Sequence, residues 1–126
     1  MLLETLAIAG KGSDMNNAIK DLIKNIVTLM VDSKFDEIVS RNENGRLSAV
    51  DIENVLRDYP GNISQPPESA YDNFNVYEIY DLTKGARKVE FDLWYDNTRS
   101  DLTLSADICE DLNGNLTISI DDIHVL

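Results

Sequence analysis

The sequence contains one cysteine, one histidine and one tryptophan in 126 residues, with three prolines and six glycines. Each scarcity removes a class of mechanism. A lone thiol, Cys109, makes no internal disulfide and no thiolate metal cluster. Its place in an alternating apolar segment predicts a buried or half-buried structural cysteine. His124 is the only histidine, so any Ser–His–Asp or Cys–His pair would have to use it. No glycine elbow precedes a serine, and His124 reads as a structural histidine or a partner contact. Walker-type and dinucleotide-type glycine loops are missing. No run approaches the roughly 18 apolar residues of a membrane helix. Basic residues are scarce as well: 11 Lys and Arg stand against 23 Asp and Glu, a formal net charge of −12. Such a charge repels nucleic-acid phosphates and anionic membranes. It leaves a basic protein or a cation as the charged partner, or none, with solubility as the charge's purpose. Met1–Ala9 is too short for a secretory signal and lacks the basic start of one. With the single thiol, that makes the cytoplasm the expected compartment.

What is present describes one α+β domain. A chain this long has room for one core of ordinary domain size. Residues 1–14 read as a peripheral N-terminal extension and 15–126 as the domain. Ile19, Leu22, Ile23, Ile26, Val27 and Met30 recur at helical spacing and predict a helix from about Asp14 to Asp32, capped by Ser13 or Asp14. A short helix over Ser33–Arg41 should bury Phe35, Ile38 and Val39. A third helix, Ser48 to about Tyr59, carries Ile52, Val55, Leu56 and Tyr59 on one side. Ser48 and Asp51 have capping-box spacing, and Pro60-Gly61 ends the helix. Residues 60–73, with Pro66-Pro67, read as a loop crossing to a sheet.

The remainder alternates with period two. Strands are expected at Phe74–Leu82, ending at the Lys84-Gly85 turn, then at Arg87–Tyr95, from Leu102 through Ile108, and from Leu116 to Ile120. Turns fall at Asp96–Ser100 and Asp111–Asn115. Pairing Asp96 with Asp101 sets Leu93 against Leu104, Phe91 against Ala106 and Val89 against Ile108. The second turn sets Ile108 against Leu116, Ala106 against Ile118 and Leu104 against Ile120. All the apolar residues then share one side, on which the first helix should lie. The expected fold is N-terminal helices packed on one face of a C-terminal antiparallel meander of three to four strands. The nuclear-transport-factor-like cone is one form of that layout.

The same register places Lys88, Glu90, Asp92, Trp94, Thr103, Ser105, Asp107, Thr117, Ser119 and Asp121 on the opposite face. It sets Glu90 against Asp107 and Trp94 against Thr103. Tryptophan is the leading hot-spot residue of protein interfaces, and an acidic rim steers a basic partner. Glu90, Asp92, Trp94, Asp107 and Asp121 are therefore the candidate partner-binding residues. No catalytic, cofactor-binding or metal-binding residue is singled out. Carboxylates are too numerous for any pair to stand out. Ser40–Asp51 has a glycine at the sixth position of a calcium-type loop but lacks the acids and the final Glu.

Two resemblances bear on function. Val89-Glu90-Phe91-Asp92-Leu93-Trp94-Tyr95, Ser100-Asp101-Leu102-Thr103-Leu104-Ser105 and Ile118-Ser119-Ile120-Asp121-Asp122-Ile123-His124-Val125-Leu126 resemble the C-terminal pattern of a family of small uncharacterised bacterial proteins. Gly45-Arg46-Leu47-Ser48 and Pro66-Pro67 extend that likeness to about residue 34. The acidic helix-then-sheet layout also resembles immunity proteins of contact-dependent growth inhibition. That resemblance implies a non-catalytic inhibitor of a cognate toxin domain, such as a nuclease with a basic substrate surface. The alternatives are a ligand-binding or enzymatic domain of the cone type, and a regulatory or scaffold module.

Overall fold

The computed structural model describes the backbone of residues 2–78 and 87–125, and the side chains of residues 15–77 and 87–125. The first helix, α1, spans Leu2–Val31. It is followed by α2 (Phe35–Ser40), α3 (Ala49–Asp58), a two-residue strand β1 (Ile63–Ser64) and a 3-10 turn (Glu68–Asp72). Strands β2 (Asn75–Glu78), β3 (Arg87–Tyr95), β4 (Thr98–Glu110) and β5 (Leu116–Val125) complete the chain. The protein is α+β, with helices before an antiparallel sheet, as its periodicities predict. The strand order is β1-β3-β4-β5, and β2 pairs with the other end of β3. The expected end of the first strand and the Lys84-Gly85 turn lie outside the described residues. No helix among the described residues is long and apolar enough to cross a membrane.

One apolar side of α1 and one face of the sheet make the core. Ile19, Ile23, Ile26, Val27 and Met30 are buried with Val89, Phe91, Leu93, Leu104, Ala106, Ile108, Ile118 and Ile120. Ile38, Ile52 and Leu56 join them from α2 and α3, whereas Val39 is exposed. Ser13 and Asp14 lie within α1, which begins at Leu2, and not at its N-terminus. The third helix starts as its spacing requires: Asp51 N–H donates to Ser48 Oγ, and Ser48 N–H donates to the Asp51 carboxylate. The crossing segment is more ordered than a loop. Tyr71, from its 3-10 turn, is buried and stacks on Phe91 at a centroid distance of 5.1 Å.

The faces agree with the sequence pattern, but the registers are shifted by two residues. Phe91 pairs with Leu104 and Val89 with Ala106. The cause is the turn. Asp96 and Asn97 both take positive φ (52° and 61°), the backbone sign of a two-residue type I′ hairpin, which Asp and Asn tolerate. A tighter turn pairs Trp94 with Arg99, and the surplus residues of β4 form an irregularity opposite Leu93. There Ser100 Oγ donates to Leu93 O at 2.6 Å and accepts from Leu102 N–H at 3.1 Å, replacing ladder bonds with a hydroxyl.

The second turn is wider than expected. The Asp111 carboxylate accepts from Asn113 and Asn115 N–H, closing a loop that pairs Glu110 with Leu116 and Ile108 with Ile118. A bulge at Asp121 then carries β5 past Ile120, so that Ile123 enters the core and His124 pairs with Thr103. Cys109 is exposed, contrary to its expected burial. Ile108 takes the inward position, so its neighbour Cys109 faces outward beside Thr117.

Candidate protein-binding face

Strand alternation brings all five candidate residues to the side of the sheet away from α1. Glu90, Asp92 and Trp94 come from β3, Asp107 from β4 and Asp121 from β5. Their neighbours differ from the expected ones. Glu90 faces Ser105, not Asp107, a shift of two residues, and Trp94, on the turn side of the irregularity, faces Arg99, not Thr103, a shift of four. The like-charge clash is thereby avoided. Lys88 now stands opposite Asp107 and lies 3.0 Å from it and 2.8 Å from Asp121. Burial works to lower the Lys88 pKa, but the hydrogen bonds to Asp121 and Asp107 outweigh it and hold the ammonium above its ordinary value. The Lys88 hydrogen bond correspondingly holds the Asp121 carboxyl below the usual carboxylate range. Arg46, from the α2–α3 loop, reaches Asp121 from the sheet's edge at 3.4 Å.

A second arrangement surrounds Trp94. Asp92 accepts from Arg99 Nε at 2.9 Å and Nη2 at 2.7 Å, both at Oδ2, and from Thr103 Oγ1 at 2.8 Å at Oδ1. Thr103 is 1% exposed, so its hydroxyl is a fixed donor. Arg99 is exposed by comparison, with two-thirds of its side chain in solvent. Thr103 and Ser105 are both buried on this outer face, sunk between larger cross-strand neighbours. Further along, Tyr77 lies within 3.3 Å of Glu90, and His124 Nδ1 lies 3.2 Å from Asp122.

Sequence reasoning found the acids and the tryptophan but missed the cations that organise them. The sequence pattern puts Lys88 on this face without its partners, and Arg99 in the expected Asp96–Ser100 turn. The Asp96-Asn97 pair, which favours a two-residue hairpin, is a signal for Arg99 opposite Trp94; Lys88 opposite Asp107 depends also on the irregularity at Leu93, for which the sequence carries no such signal.

Tyr95 is buried in the core, its hydroxyl donates to Leu56 O at 2.6 Å, and its ring lies 4.6 Å from that of Tyr59. Among the described residues, no group of three or more His, Cys, Asp or Glu is arranged to hold a metal ion.

A family model described as a domain of unknown function (DUF7668) matches residues 27–126. No curated protein and no solved structure matches the chain.

Proposed function

We propose that this chain, which belongs to the DUF7668 family of domains of unknown function, is a non-catalytic protein-binding module that neutralises a basic toxin domain, in the manner of an immunity protein. The observation that carries this reading is the outer sheet face. It carries Trp94 and Asp92 toward one end and Asp107 and Asp121, joined by Lys88, toward the other, with Glu90 between them, all on the side away from the helical layer. Lys88 and Arg99 offset some of that charge, and the whole chain remains at −12. A nuclease's basic substrate surface attracts such a face by the complementarity it uses for phosphates. The anchor is aromatic, the rim is carboxylate, and the strands are pre-organised, which limits the ordering cost of binding. A cytoplasmic site of action fits this role.

The test is calorimetry with the C-terminal domain of the protein encoded immediately upstream. One-to-one binding is expected, weakening at least tenfold between about 50 and 300 mM salt. The double charge reversal Glu90→Lys with Asp107→Lys should weaken it further, while Asp36→Lys on α2 should not. Absence of binding to that domain, or binding indifferent to the sheet-face reversals, would sink the proposal.

A further inference from the structure

Pairing along the outer edge of β3 is interrupted. On that side β2 covers Arg87–Glu90 and β1 covers Trp94–Tyr95, and between them the chain leaves the sheet as the 3-10 turn. The interruption leaves a hollow of about 170 Å³, lined by Pro67, Ala70, Phe91, Asp92, Trp94 and Arg99. At ~30 Å³ per water, that is room for one long side chain. It is smaller than the roughly 300 Å³ at which pockets for drug-sized ligands begin. Ser69 and Asn73 also line it, so apolar side chains share the hollow with polar ones and with the Asp92–Arg99 pair.

We propose that this hollow is an arginine subsite for the basic partner, in which an incoming guanidinium displaces Arg99 from Asp92. The inference rests on the protein-binding reading above. Three features carry it. The carboxylate is the fixed member of the pair: its side chain is 27% exposed and buried Thr103 holds its second oxygen. Arg99 is the replaceable member, 67% exposed, and an exposed ion pair gives little resistance to exchange. Arg99 also demonstrates the chemistry, since two guanidinium N–H groups already converge on Asp92 Oδ2. A partner's arginine would make those same bonds while its planar head packs against Trp94, which a lysine ammonium matches poorly. Arg99 thus satisfies the carboxylate in the unbound protein and yields it to the partner.

Trp94 is the only tryptophan, so its fluorescence reports on the subsite directly. The probe is the capped tripeptide acetyl-Gly-Arg-Gly-amide, with the lysine analogue as control, followed by fluorescence and by amide chemical shifts. Wild-type protein should bind the arginine peptide at least threefold more tightly than the lysine peptide, with shifts centred on Trp94 and Thr103. Arg99→Ala should tighten arginine binding at least threefold, and Arg99→Gln should do the same if the alanine variant folds poorly. Asp92→Asn should weaken it at least fivefold. Unchanged or weaker binding by both Arg99 variants would overturn the proposal. So would peptide shifts confined to other surfaces, or inorganic phosphate binding at Arg99 in preference to the peptide. The two proposals fail separately. Failure of the upstream domain to bind, with the peptide results intact, removes the toxin reading and leaves the subsite. Partner binding that Arg99→Ala leaves unchanged or weakens removes the subsite alone.

Discussion

Glu43 is a poorly satisfied residue in this fold. It sits in the α2–α3 loop, and its Oε1 is buried without a hydrogen-bond partner among the described residues. Burial raises its pKa, nearby Arg41 opposes the shift, and Glu37 adds to it. The folded state therefore binds this proton more tightly than the unfolded state, so ΔG of unfolding falls as pH rises through the interval between the two values. The stabilisation is complete below the unfolded carboxylate pKa of about 4.3 and lost above the raised folded value. Glu43→Gln should therefore stabilise the protein by about 1 kcal/mol at pH 7, the cost of one partly buried unsatisfied charge. The gain should vanish near pH 4. Urea midpoints of both proteins at the two pH values measure it, and an equal gain at both would contradict the burial argument. Asp121 has the opposite sign: held low by Lys88, it contributes stability above its unfolded pKa that is lost as the pH falls. Neither role is legible in the sequence, where Glu43 is one more acid in a polar break. The burial of a loop carboxylate is set by which strand the loop lands on.

That landing joins the helices to the edge of the sheet. Ile120 N–H donates to Glu43 O at 2.8 Å, and Arg46 bonds the Asp121 carbonyl at 3.3 Å, so the loop covers part of the exposed edge of β5. Gly45 makes the approach possible. Its φ is +58°, and a Cβ there would lie 2.0 Å from Ile120 O. Gly45→Ala should therefore cost more than about 2 kcal/mol, since both the positive φ and the backbone contact oppose it. Amide exchange of Ile120 should quicken more than that of Leu104 in the sheet centre. A variant with wild-type stability would show that the loop does not dock as described. Elements were the best-read level of this molecule. Period two assigns each strand residue to a face, and a slip of two residues preserves every assignment. For the same reason the pattern cannot select among registers that differ by two. The tight Asp96-Asn97 hairpin, the Asp111 loop and the bulge at Asp121 made that selection, through backbone angles and side-chain caps that hydrophobic alternation does not encode.

At the scale of the whole molecule the candidate site was legible as a set of residues but not as an arrangement. The sequence places Trp94 and the acids on one face. The structure shows Lys88 binding Asp107 to Asp121, and Arg99 resting on Asp92, so the face is a network with a net negative excess. This bears on what salt should do. Exposed pairs such as Arg41–Glu37 are each worth about 0–1 kcal/mol and weaken with screening. The opposing contribution is the mutual repulsion of a small domain at −12, which screening relieves. At about 10 mM ionic strength the Debye length is about 30 Å, and the repulsion acts across the whole domain. At 0.15 M it is about 8 Å, and mainly contact pairs still interact. Long-range repulsion therefore loses more than the pairs do, and the melting temperature should rise by about 2–5 °C over that range. Binding of a basic partner should weaken over the same range, because there the long-range interaction is attractive. Opposite salt responses of stability and affinity, by calorimetry of the same preparation, are the combination expected of a surface acidic for a partner's sake. A melting temperature that falls with salt would mean that local ion pairs outweigh the net charge, and would remove the electrostatic argument for a basic partner.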